Sequence, residues 1–186
     1  MNRFLLAAVA AILPWTSASA EPVPGGRANV VVLPEPPSLM LGLVQNAPAQ
    51  MVAGNIYEGL LRYDSDLQPM PSLAKSWTVS DDGLTYTFNL EEDVKWHDGA
   101  PFSSADVVFS ADVFLRESHP RFRAILEHVA SIEAPDDNTV VFTLKSSFGP
   151  FLNAFEVGSM PIVPKHIYEG TDFQNNPANN TPIGTG

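Results

Sequence analysis

Two hairpin signals constrain the fold of this chain more than any other feature. In the first, residues 76–80 lead into Asp81-Asp82-Gly83. Residues 84–90 then alternate, with Leu84, Tyr86, Phe88 and Leu90 on one face and Thr85, Thr87 and Asn89 on the other. Asp-Gly between alternating segments favours an antiparallel hairpin, because both residues tolerate the backbone angles of a tight turn. In the second, residues 129–134, the turn Asp136-Asp137-Asn138 and residues 139–145 follow the same plan, with Val140, Phe142 and Leu144 sharing a face. The two share a device, not a sequence. They predict mixed α and β structure with antiparallel hairpins rather than a repeating βαβ unit.

Helical spacing occupies the gap between them. Ser103 or Ser104 can cap a helix running to about Arg116, with Asp106 in its first turn, where a negative charge suits the helix dipole. Val107, Val108, Ala111, Phe114 and Leu115 recur at helical intervals, and His119-Pro120 ends the run. A second helix is expected over residues 48–58, with proline near its first turn and Gly59 after its end, burying Met51, Val52, Ile56 and Tyr57. Shorter ones are expected at 150–155 and 164–169. The β-branched run 29–33 predicts a buried strand, stopped by Pro34-Glu35-Pro36-Pro37, and residues 175–181 read as a loop.

The first twenty residues are of another kind. A short positive start at Met1-Asn2-Arg3, an apolar run over residues 4–13 and the small-x-small site Ala18-Ser19-Ala20 have the layout of a secretory signal peptide. The apolar run is half the length of the roughly 20 residues that a membrane span needs. Residues 21–27 are Pro/Gly-rich and form an expected loose leader. The chain has no cysteine, which rules out disulfides and a lipid-modified cysteine and points to an exported, untethered, periplasmic protein. Without the signal, nine Lys and Arg stand against 21 Asp and Glu, which argues against nucleic acid and anionic membranes as partners.

Reaction chemistry is poorly supported. His97-Asp98 reads as part of a tight turn rather than a dyad, because adjacent side chains diverge on extended backbone. His97, His119, His128 and His166 are scattered, with no two at metal-ligand spacing. Neither G-x-S-x-G nor S-x-x-K is present, nor any glycine-rich nucleotide loop. The paired carboxylates fall at turns or strand ends, and Trp77, Tyr86, Phe88 and Trp96 are expected in the core.

A series of short pieces runs through nearly the whole chain after residue 27. They are Glu35-Pro36-Pro37-Ser38-Leu39, Tyr57-Glu58-Gly59-Leu60, and Pro71-Ser72-Leu73-Ala74-Lys75-Ser76-Trp77. Asp82-Gly83-Leu84-Thr85-Tyr86-Thr87-Phe88, His97-Asp98-Gly99-Ala100-Pro101-Phe102, Asp106-Val107-Val108, Pro150-Phe151-Leu152 and Pro161-Ile162-Val163-Pro164-Lys165-His166 follow in order. In this order they resemble the family 5 extracellular solute-binding proteins, which feed peptides, and in some members nickel, to ABC importers. Glu91 departs from the basic residue usual after the second hairpin strand. Thr181-Pro182-Ile183-Gly184-Thr185-Gly186 resembles a motif that normally continues into Pro-Tyr.

The resemblance implies a type II periplasmic-binding-protein fold, incomplete, with two lobes closing over a solute. Residues 28–56 and 175–186 would belong to lobe I and residues 57–174 to a small extra subdomain, in an N-terminal fragment or truncated product. It implies no cofactor, no catalysis, a monomer, and as partners a peptide or other small solute and the permease subunits of the inner membrane. Ser38, Gln45 and Asn46, with Phe122 and Met160 behind them, are the implied ligand contacts. The competing readings are a secreted hydrolase using His97 and a small non-catalytic interaction module.

Overall fold

The structure, a computed structural model, describes residues 25–186. The expected signal peptide lies outside the described residues. The chain divides into two units, Met1–Val31 and Val32–Gly186. In the first, the described residues are exposed and without regular structure. The strand expected at 29–33 does not form, and Val30, Val31 and Leu33 are 69%, 80% and 80% exposed. A strand is held by hydrogen bonds to a neighbour, and no described segment pairs with this run.

The second unit opens with helix α1 (Ala47–Ala53), followed by a two-stranded ribbon of β1 (Leu61–Tyr63) and β2 (Pro69–Pro71). The four strands after it form one antiparallel sheet: β3 (Ala74–Val79), β4 (Thr85–Leu90), β5 (Val129–Asp136) and β6 (Thr139–Leu144), in the order β3-β4-β6-β5. Both expected hairpins are therefore present. They are joined through their second strands, with Tyr86 opposite Phe142 and Phe88 opposite Val140. This register puts the large residues of both alternating runs on one buried face. A 3-10 helix, Gly149–Phe155, lays Phe151 and Phe155 on that face, with ring centroids 4.5 Å apart for Phe88–Phe155 and 5.0 Å for Phe142–Phe155. Trp96 is buried too, and Trp77 packs against the core half-buried.

The helix after the first hairpin starts as expected and runs a little further. α2 (Ser104–Val108) passes through a π-helical stretch, Phe109–Leu115, into α3 (Arg116–Ser118). The Ser110 hydroxyl donates to the Asp106 carbonyl at 2.7 Å, the insertion of a side chain into the backbone ladder that accompanies a widened turn. His119-Pro120 ends this helix and begins another, α4 (Pro120–Leu126), absent from the sequence expectation. Pro120 takes the first helical position, and His119 Nδ1 accepts the Phe122 amide at 3.1 Å.

α1 is the main correction to the expected helices. It ends at Gly54 rather than before Gly59, and its buried residues are Ala49 and Ala53, while Met51 is 58% exposed. The side chain of Asn55 donates to the Met51 carbonyl at 2.9 Å, occupying one of the acceptors a longer helix would have used. The other expected short helices appear as Gly149–Phe155 and α5 (Lys165–Tyr168), and the 175–181 loop holds one 3-10 turn, Pro177–Asn179.

Asp106 ties two distant parts of this unit together. One carboxylate oxygen accepts the Ser103 amide at 3.0 Å and the other the Lys165 amide at 2.9 Å. Burial raises its pKa, against the pull of those two amides. Asp106→Ala leaves both amides without their acceptor, and should cost about 2 kcal/mol in urea unfolding at neutral pH. A loss too small to resolve would show that water takes over both bonds.

Candidate functional site

The segment from Ile56 to Leu60 is bonded on several sides. The Glu58 carbonyl accepts from the Ile162 amide at 2.9 Å, the Leu60 carbonyl from Ala74 at 3.0 Å, and the Ile56 carbonyl from Gly186 at 3.1 Å. Gly59 is required here for its lack of a side chain. An added Cβ would meet the Phe155 carbonyl oxygen and lie 2.8 Å from the Glu156 carbonyl carbon, so the backbone at 155–157 rests directly on this residue.

Beside this segment lies a groove of about 700 Å³. Tyr57, Glu58 and Gly59 line it together with β1 and Ser72, and with Arg121, Asn153, Glu156 and Val157 from later in the chain. The Ser72 hydroxyl donates to Glu58 Oε1 at 3.3 Å, and Glu156 accepts from the Gly158 amide and the Ser159 hydroxyl, both at 2.8 Å. Tyr63 donates its hydroxyl to the Leu152 carbonyl at 2.8 Å, and burial, with the charge of Glu156 second, raises its pKa. Tyr57 is buried beneath the groove, and burial raises its pKa strongly, helped by Tyr168. Tyr168 is pushed up to about 12, by burial as well. Both phenols therefore stay neutral at physiological pH. The lining is more apolar than polar and carries several polar groups held in place, a composition that suits a small solute.

The residues singled out from the sequence fall elsewhere, two of them just behind this groove. Phe122 is 1% exposed and Met160 0%, both packed in the core, which no solute reaches in this structure. Each stands next to a groove element: Phe122 anchors the turn that presents Arg121, and the Met160 amide bonds the Glu156 carbonyl at 2.8 Å. Asn46 is the α1 cap, its side-chain oxygen accepting the Ala49 amide at 2.8 Å. Ser38 is a clasp, donating to the Asn179 carbonyl at 3.2 Å and accepting from the Met40 amide at 3.1 Å, and it lines a smaller cavity of about 390 Å³ with residues 174–177. Gln45 is exposed. Arg62, Tyr63 and Arg121 were missed. The available signal was positional: Arg121 follows a helix-starting proline and precedes a large apolar residue, which turns it away from the core.

His97 and Asp98 diverge as their turn predicts. His97 Nε2 lies 2.8 Å from the Gly186 carbonyl oxygen, while Asp98 accepts the Ala100 amide at 3.0 Å and pairs with His166 Nε2 at 2.8 Å. The bond to His166 holds the Asp98 carboxyl below its ordinary range, so its contribution is present above the ordinary carboxylate pKa and lost as pH falls through the lowered one. The Asp98 side chain is 35% exposed, so screening keeps the effect small. Asp98→Asn should cost less than ~1 kcal/mol at neutral pH, a difference that shrinks in urea titrations run below about pH 4. Equal stability of the two proteins at both pH values would remove the pair from the account. Among the described residues no group of three or more His, Cys, Asp or Glu could hold a metal ion.

The chain is similar to known proteins along most of its length. The family model described as bacterial extracellular solute-binding proteins, family 5 Middle, matches residues 68–186. Protein XP55 of Streptomyces lividans is 40% identical over 132 residues, 70% of this chain and 24% of that protein. The glutathione-binding protein GsiB of Salmonella typhi is 35% identical over 141 residues, 74% of this chain and 27% of that protein. Among solved structures, the oligopeptide-binding protein AppA of Bacillus subtilis in complex with a nonapeptide superposes with a TM-score of 0.74 at 31% identity, over 82% of this chain and 31% of that one. The chain thus spans about a quarter of the length of the curated relatives it matches. Its mixed α/β fold is part of the type II periplasmic-binding-protein fold, and the chain belongs to the family 5 bacterial extracellular solute-binding proteins.

Proposed function

We propose that this chain supplies one wall of the solute cleft of a periplasmic binding protein that captures peptides or related small solutes and delivers them to an ABC permease. The observation that carries the reading is the groove beside residues 56–60: a concave, largely apolar surface with fixed polar groups, in a chain of this family. Residues 28–56 and 175–186 are assigned to the first lobe, supported by the Gly186–Ile56 bond, and residues 57–174 to the adjoining subdomain. Capture is reversible and rests on closure over the solute. Extended peptides suit such a surface because backbone groups can be met while side chains are read loosely. Gln45 is exposed and stands outside the groove's lining, and it is kept as a candidate cleft contact on the family resemblance alone.

The relatives support this reading, since one is named for glutathione binding and a solved neighbour holds a nonapeptide. No helix among the described residues is long and apolar enough to cross a membrane. A hydrolase using His97 and one of the acids is less favoured, because both ring nitrogens of His97 lie on the backbone of residues 184 and 186 and Asp98 pairs with His166. The test is an amide-resonance titration of the chain with trialanine. Shifts should gather at residues 57–63, 121 and 153–157, saturating weakly because one wall binds without its counterpart. Shifts scattered over the surface, or none, would overturn the assignment.

A further inference from the structure

Four charged side chains line the groove, and three are engaged. Glu58 holds Ser72, Glu156 holds Gly158 and Ser159, and Arg62 Nε donates to the Pro71 carbonyl at 3.1 Å. The side chain of Arg121 makes neither a hydrogen bond nor an ion pair among the described residues, although it lines the same groove. Its base is nevertheless fixed. His119 caps the turn through Nδ1, Pro120 sets the first helical position, and Phe122 is buried beneath. Burial lowers the pKa of His119, which agrees with a neutral ring whose Nδ1 accepts.

Resting on the reading of this groove as the solute site, we propose that Arg121 gives it a preference for solutes bearing a carboxylate. A guanidinium is a planar fork that meets a carboxylate with two parallel hydrogen bonds and keeps its charge at every physiological pH. Leu61, Tyr63 and Val157 line the groove with it, and apolar walls strengthen such a contact relative to open water. Glu58 and Glu156 balance the two arginines overall, so the groove is no general anion trap. Their carboxylates repel a solute anion from their own side; Arg62 is tethered through Nε to the Pro71 carbonyl of β2, whereas the Arg121 side chain is free to turn to the solute.

The experiment compares trialanine with trialanine amide, which differ only in the carboxylate, by calorimetric or resonance titration of the chain. The parent should bind trialanine about five- to tenfold more tightly, the worth of a partly exposed charged pair, with the preference fading at high salt. Arg121→Gln should abolish the preference, bringing trialanine down to the affinity of its amide. Arg123→Gln serves as the control and should retain it, because that side chain is directed to the Glu117 carbonyl at 3.0 Å. Equal binding of both probes by the parent, or a preference that survives Arg121→Gln, overturns the role of Arg121 and leaves the groove assignment standing. No binding of either probe overturns both.

Discussion

Phe142→Ala should destabilise the protein by about 4 kcal/mol, measured by urea unfolding, the cost typical of emptying a buried aromatic site. Phe142 is fully buried on β6, where the two hairpins meet. Its ring lies 5.8 Å from Phe88, 5.9 Å from Phe151 and 5.0 Å from Phe155, all at edge-to-face angles. Removing it takes away the transfer energy of the ring and leaves a cavity bordered by three rigid aromatics that collapse poorly into it. Phe142→Leu fills part of the space and should lose about half as much. A Phe142→Ala loss below about 2 kcal/mol would mean that the cluster repacks, and that it is not the common core of the two hairpins.

Gly59→Ala should cost about 3 kcal/mol, at the upper end for one added methyl, because the atoms it meets belong to the backbone. The Phe155 carbonyl oxygen and the Glu156 and Val157 backbone atoms stand over Gly59. The Gly59 segment cannot retreat, since Ile162 bonds the Glu58 carbonyl and Ala74 the Leu60 carbonyl from other directions. The strain must therefore push the 155–157 wall outward, and that wall is part of the groove. The variant should lose trialanine affinity as well as stability. Gly149→Ala is the control: an added Cβ there meets nothing within 4 Å, so it should change stability by less than about 0.5 kcal/mol. If the two variants unfold together, the backbone over Gly59 yields to the added methyl.

The hairpins were legible because period-two alternation and Asp-rich turns act over fewer than ten residues, with no help from the rest of the chain. The capped start at Ser103 was legible for the same reason, since Asp106 reaches back only three residues to the Ser103 amide. α1 was misread because its apolar residues on two faces, Met51 and Val52 against Ala49 and Ala53, offer two plausible inner sides. Neighbours packed against it chose the alanines, the side that allows close approach. The run at 29–33 carries strand residues, but composition supplies no partner strand.

The site was harder still. Ser38, Asn46, Phe122 and Met160 turned out to clasp, cap or anchor the fold, because small polar residues and buried aromatics serve structure with the same chemistry that would serve a ligand. Arg121 stands one residue from Phe122, and in a helical turn one residue separates core from solvent.

By itself, then, the sequence determined what is local: two hairpins, a capped helix, turns at His97-Asp98 rather than a dyad, and an order of motifs that marks the family. The tertiary structure alone decided that β4 pairs with β6, that residues 155–157 rest on Gly59, and that Arg121 lines a groove with no partner among the described residues. The division has one physical cause. Propensity and turn chemistry are properties of a few adjacent residues, whereas this groove is made by segments far apart in the chain, around Gly59, Arg121 and Val157, brought together by burial of their apolar faces.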